Sequence, residues 1–181
     1  MALEFTTSYL RDSLSLFRHY KKLGEQAMAQ MTDEELVDDP AEANSPAVIV
    51  KHLAGNMRSR WTDFLTTDGE KADRNRDSEF EDPAETRAEL LAMWEAGWQC
   101  VFRALEPLGE EDLGRTVYIR GEAHSVMQAI NRQLTHYAYH VGQMVILAKL
   151  RRGAGWQTLS VARGASAAFN ARVAAGEASQ R

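Results

Sequence analysis

The chain has 181 residues, 44% of them apolar and 26% charged, with a formal net charge of −5; this composition fits a globular protein long enough to bury a core without covalent staples. Lys and Arg are scattered among acids, which excludes an extended phosphate footprint and argues for no nucleic-acid partner. The single cysteine, Cys100, excludes an intramolecular disulfide and a multi-thiolate metal site, and no run approaches the roughly 18 apolar residues of a membrane span.

The first predicted helix runs from about Leu3 to Met31, with Leu10, Leu14, Leu16, Phe17, Leu23, Ala27 and Met28 on or near one face. The N-terminus mixes Glu4, Arg11 and Asp12 with apolar residues and has no signal-peptide core, so a reducing cytoplasm is the expected compartment. Thr32-Asp33-Glu34-Glu35 reads as a capping box that opens a short turn ended by Pro40. The second long helix starts at Ser45-Pro46, a cap followed by proline at the first helical position, and reaches about Leu65. The polar segment Thr66 to Glu81 reads as a surface loop. A third helix is expected to open at Asp82-Pro83-Ala84-Glu85 and to carry Leu90, Leu91, Trp94, Trp98, Val101, Phe102 and Leu105 to about Glu106. Its Trp94, Trp98 and Phe102 stripe reads as core packing.

Between Leu108 and His124 the period changes to alternation, with Val117 and Ile119 against Thr116, Tyr118 and Arg120, which predicts a small hairpin. Ser125-Val126-Met127-Gln128 then caps the fourth helix, and Gly153 after Arg151-Arg152 ends it. The Ala-, Gly- and Ser-rich stretch from Gly164 onward is expected to fold back weakly. The whole chain, 1–181, therefore reads as one all-α domain: a four-helix bundle with long connections and a small β-like excursion before the last long helix.

The most informative residues are His136 and His140 on the fourth helix. A spacing of four is one helical turn, so both imidazoles leave one face and can chelate a divalent transition metal such as zinc or nickel. Tyr137 follows the first histidine, so the His-Glu-x-x-His arrangement of zinc peptidases, with its built-in base, is not present. A third ligand must come from another helix, and His52 is the candidate. On the second helix Asn56, Ser59 and Asp63 share its face, while Val50, Leu53, Met57, Trp61 and Phe64 gather opposite. On the fourth, Gln133, His136, His140 and Gln143 form one polar stripe. If the stripes meet at the lip of the bundle, three imidazoles converge on one ion, with Asn56, Asp63, Gln133 and Gln143 as hydrogen-bond partners around it. A polar stripe opposite an apolar one is equally what a solvated helix shows, and that reading stays open on spacing alone. His124 reads as a cap-region residue, His19 as a partly exposed helix residue, and Cys100 as a small core residue.

Three histidines in this order resemble the DinB-like superfamily, in an uncharacterised bacterial branch. The likeness is carried by Val50-Lys-His-Leu-Ala-Gly-Asn-Met-Arg-Ser-Arg-Trp-Thr-Asp-Phe64, Arg74-Asn-Arg-Asp-Ser-Glu-Phe80, Val117-Tyr-Ile-Arg-Gly-Glu122, Asn131-Arg-Gln-Leu-Thr-His-Tyr-Ala-Tyr-His-Val-Gly-Gln143, and Arg163-Gly164 with Phe169-Asn170. The resemblance implies ligand roles for His52, His136 and His140 and a homodimer. It also implies a small-molecule substrate, with a metal-held low-molecular-weight thiol as the nucleophile of a transferase. Ala162 stands where relatives carry a proline before Arg-Gly, which bears on the tail and not on the histidines. Metal-assisted hydrolysis with Asp63 or Glu122 as base, and a non-catalytic metal-binding dimer, are the alternative readings.

Overall fold

The computed structural model describes residues 7–38, 44–81, 83–84 and 86–179. Helix α1 (Tyr9–Met28) begins where the Ser8 hydroxyl accepts the backbone N–H of Arg11. The expected beginning at Leu3 lies outside the described residues. Its buried face is Leu10, Leu14, Phe17, Gly24, Ala27 and Met28, whereas Leu16, expected near that face, is exposed. Helix α2 (Asp33–Val37) has the predicted capping box, with Thr32 and Glu35 satisfying each other's backbone N–H; Pro40 lies outside the described residues.

Helix α3 (Pro46–Trp61) starts at the predicted Ser45 cap. Helix α4 (Arg87–Leu105) starts later than expected: Thr86 and Glu89 form its capping box, and the proposed cap at Asp82 with Glu85 lies outside the described residues. Strands β1 (Thr116–Ile119) and β2 (Glu122–Ser125) make the predicted antiparallel hairpin, pairing Val117 with His124 and Ile119 with Glu122. Arg120 and Gly121 form its tip with φ of 56° and 77°, the left-handed pair that matches the twist of a two-residue hairpin. Helix α5 (Val126–Arg152) opens on the Ser125–Gln128 capping box and stops at Gly153, φ 51°. Helix α6 (Ser166–Ala174) follows, with none of its residues buried.

The four long helices pack α1 on α5 and α3 on α4, with further contacts of α3 on α5 and α1 on α4. Their centre is aromatic: Phe17 meets Trp61, Trp98 and Tyr137 at ring separations of 6.2, 6.2 and 5.8 Å. These are edge-on and tilted geometries that suit ring quadrupoles. Close approach is made by small residues; Gly97 of α4 faces the backbone of Ala54 on α3. No helix among the described residues is long and apolar enough to cross a membrane.

One element departs from the sequence reading in a way that matters. The segment after α3 is not simply a surface loop. It folds back over α3, forms a 3-10 turn at Asp77–Phe80, and buries Glu79. The reason is electrostatic. His52, Asn56, Ser59 and Arg60, the polar side of α3, are themselves buried, so the chain must supply partners for them in place of water.

Candidate metal centre

Two helices and the folded-back segment build the site. On α5 the four-residue spacing stacks His136 and His140, with ring centroids 4.8 Å apart. On α3, His52 faces both, at 5.3 and 4.9 Å. One ring nitrogen from each lies within 4.8 Å of the other two.

Proton positions follow from partners that can only accept. His52 Nδ1 lies 2.9 Å from Glu79 Oε2, so it carries the hydrogen and leaves Nε2 with a free lone pair. His140 Nδ1 lies 2.8 Å from Gln143 Oε1 and is fixed the same way. Gln143 is held in turn by donating its amide N–H to Tyr139 Oη. His52 Nε2 then stands 3.3 Å from His136 Nε2. Two nitrogens bound to one zinc ion at about 2.0–2.1 Å in a tetrahedron are separated by roughly this distance. The donor set therefore fits a divalent transition ion, and the Glu79–His52 pair has the form of the carboxylate–histidine partnership that orients metal-binding imidazoles.

Electrostatics keep His136 and His140 neutral. Burial, followed by His140, His52 and nearby arginines, pushes His136 down to about 3. Burial and then His52 push His140 down to about 4, against a smaller opposing hydrogen bond donated to Gln143. Burial alone would raise the Glu79 carboxyl. Hydrogen bonds from His52 and Arg74, together with the Arg74 charge, hold it below the ordinary carboxylate range. Arg74 grips both Glu79 oxygens at 2.8 Å, so the carboxylate that orients His52 is itself fixed.

Beneath the histidines, Tyr137 is fully buried between them in sequence and points into the bundle. Its hydroxyl accepts Trp61 Nε1–H at 2.9 Å and donates to Asn56 Oδ1 at 3.2 Å. In front of them opens a cavity of about 600 Å³. Among the described residues its wall holds five arginines (60, 74, 76, 120 and 132) and no acidic side chain.

A family of proteins of unknown function, DUF1572, matches residues 4–165. The chain belongs to this family. No curated protein and no solved structure gives a significant match.

In this DUF1572 chain, His52, His136 and His140 form a group that could hold a metal ion. Asn56 and Gln133 line the cavity with them, and Gln143 supports His140. Asp63 does not join them. It lies beyond the end of α3 at φ 48° and faces two other depressions, because the helix ends at Trp61 and its periodicity no longer applies. Glu122, at the start of β2, does not line the cavity either. His124 sits in β2 with Nδ1 3.0 Å from the Glu122 carbonyl. His19 is exposed against Tyr20, and Cys100 is half-buried against the core, away from the histidines. Sequence reasoning missed Glu79, Arg74 and Arg60. Glu79 and Arg74 fall in a segment without periodicity, and their only signal is that Arg74–Phe80 belongs to the stretches that carry the family likeness.

Proposed function

We propose that this DUF1572 protein is a metal-dependent enzyme of the DinB-like type, in which His52, His136 and His140 hold a zinc or nickel ion. Its reaction is the transfer of a low-molecular-weight thiol to an electrophilic small molecule, a detoxification or stress chemistry. The observation that carries this reading is three imidazole nitrogens converging at the wall of a cavity with no carboxylate lining among the described residues. A bound divalent cation supplies positive charge that lowers the pKa of a coordinating thiol.

The chain's own residues perform the rest. Glu79 holds the His52 ring through Nδ1–H, and Gln143 does the same for His140. The buried Tyr137–Trp61–Asn56 chain fixes the floor, and the cavity admits the electrophile. In the transfer the sulfur–carbon bond forms, the carbon–leaving-group bond breaks, and the thiol proton passes to solvent.

The position of Asp63 and Glu122 away from the cavity weighs against hydrolysis with either as base. A closed structural site is disfavoured by the open space beside the histidines. The homodimer implied by the family likeness belongs to the same proposal and is read by sedimentation.

The deciding experiment is elemental analysis of purified, untagged protein beside a His136→Ala, His140→Ala variant. We expect one ion per chain, lost in the variant, followed by metal-dependent addition of a thiol to a model electrophile. A chain that takes up no zinc or nickel after reconstitution overturns the metal centre. Metal uptake without any effect on thiol reactivity overturns the transferase.

A further inference from the structure

The cavity wall carries more positive charge than its neighbours neutralise. A single oxygen, Glu70 Oε2, is shared by Arg74 at 3.1 Å, Arg120 at 3.4 Å and Arg60 at 3.5 Å. Glu79 is already committed to Arg74 and His52. Among the described residues Arg76 has Asp77 at 3.9 Å as its acidic partner and stands over the Phe80 ring, and Arg132 adds a fifth guanidinium with no acidic partner within salt-bridge distance.

Arg60 is the decisive residue. It is buried, at 5% exposure, yet its Nε and Nη1 have no hydrogen-bond partner. Burial is the largest influence on its guanidinium and works against the charge, with Glu70 opposing and Arg74 and Arg132 adding to the strain. Gln133, also buried and also lining the cavity, has an unpartnered Oε1. Leaving donors of a charged group unmet in the interior costs free energy unless something supplies acceptors. A guanidinium gives charge-assisted N–H donors to a carboxylate or phosphate. In Arg60 the unmet Nε and Nη1 lie on opposite sides of the group, since Nη2 completes the fork with Nε and faces Glu70.

We propose that the arginine wall of this cavity, with Arg132 at its exposed side and buried Arg60 within it, is the binding site for an oxyanion, a carboxylate or phosphate, carried by the substrate. Arg60 and the three histidines line the same cavity, so the substrate is an organic acid or a phosphorylated molecule. As a statement about substrate this rests on the metal-centre reading; as an anion site it stands without it. Field focusing in a cationic cleft on a net acidic chain draws such a substrate and repels cationic ones.

The test is calorimetric titration of inorganic phosphate and, separately, malonate into the full chain at low ionic strength, metal-free and zinc-loaded. The metal-free arm decides, because phosphate can also bind zinc directly. We expect saturable binding of at least one anion to the metal-free chain, with the stronger of the two naming the group. Arg60→Gln and Arg132→Gln should each weaken it roughly tenfold or more, while Arg172→Gln on α6 leaves it unchanged. Arg132 is exposed, so its variant retains the fold even where Arg60→Gln does not, and circular dichroism verifies both. No saturable binding to the folded metal-free parent, or binding unaffected by Arg132→Gln, overturns the site. Failure to take up zinc with anion binding intact removes the metal centre and leaves the anion site standing.

Discussion

The Glu79 carboxylate accepts the Nδ1–H of His52 at 2.9 Å across 27 residues of sequence. That bond fixes which nitrogen of His52 faces the other two histidines. A segment without regular periodicity thereby controls the chemistry of a helix face, and Arg74 holds it in place through two 2.8 Å bonds.

Replacing Glu79 by Gln keeps the size of the side chain and removes its charge. An amide can still accept from His52, but it loses the charge-assisted grip of Arg74 and lowers the basicity of the ring. We expect metal affinity to fall about 10- to 100-fold, read by competition with a chromophoric chelator. An affinity equal to the parent's would mean that Glu79 serves only the packing of the segment.

Gly55 tests the same bond without touching the charge. A Cβ at this position would overlap the Glu79 carboxyl group, so Gly55→Ala must push the carboxylate off its present seat. Loss of metal affinity with little loss of helix content is the expected outcome. Ala ordinarily favours a helix over Gly by about 1 kcal/mol, so a variant that is more stable and binds metal as the parent does would show that Glu79 moves freely.

Tyr137→Phe probes the floor. It leaves Trp61 Nε1–H and Asn56 Oδ1 without their present partner in the interior. An unmet buried polar group costs about 1–3 kcal/mol, so denaturant unfolding should show a loss of about that size or somewhat more, with metal affinity reduced less than in Glu79→Gln. A variant as stable as the parent would indicate that water replaces the hydroxyl.

These residues differ in how far the sequence announces them. His136 and His140 are legible because helical spacing alone stacks them, and the caps at Ser45, Thr32, Ser125 and Gly153 are legible because capping is chemistry within a few residues. The start of α4 is not legible: Asp82-Pro83 offers the same local signal as Thr86 with Glu89, and local chemistry does not rank them. The sequence marks a polar side on α3 but not its burial beside the cavity. Burial of Arg60 and Asn56 depends on a partner segment arriving from elsewhere, and nothing within α3 encodes that arrival. Asp63 shares a face with His52 only if the helical period is carried past Trp61, where the helix stops.

The same segment is pinned to the hairpin by Asp68, and this gives a pH-dependent prediction. Its carboxylate accepts backbone N–H bonds from Glu70 at 2.7 Å, Arg120 at 2.8 Å and Gly121 at 2.7 Å. The bond from Glu70 is the largest cause of a pKa held below the usual 3.8, with burial opposing and the two hairpin bonds assisting. A carboxyl depressed in the folded state stabilises the fold above its unfolded pKa, and that contribution is lost as pH falls through the folded value. Asp68 is only partly buried, so its worth is set by analogy with a lost helix cap, about 1 kcal/mol. Asp68→Asn should therefore be less stable than the parent by about that amount at pH 7, with the difference constant down to about pH 5 and shrinking below pH 4. Paired urea titrations at pH 7 and pH 3 measure it. A difference that persists undiminished at pH 3 would assign the effect to the shape of the side chain, because at that pH the parent's carboxyl is losing the charge that the variant lacks.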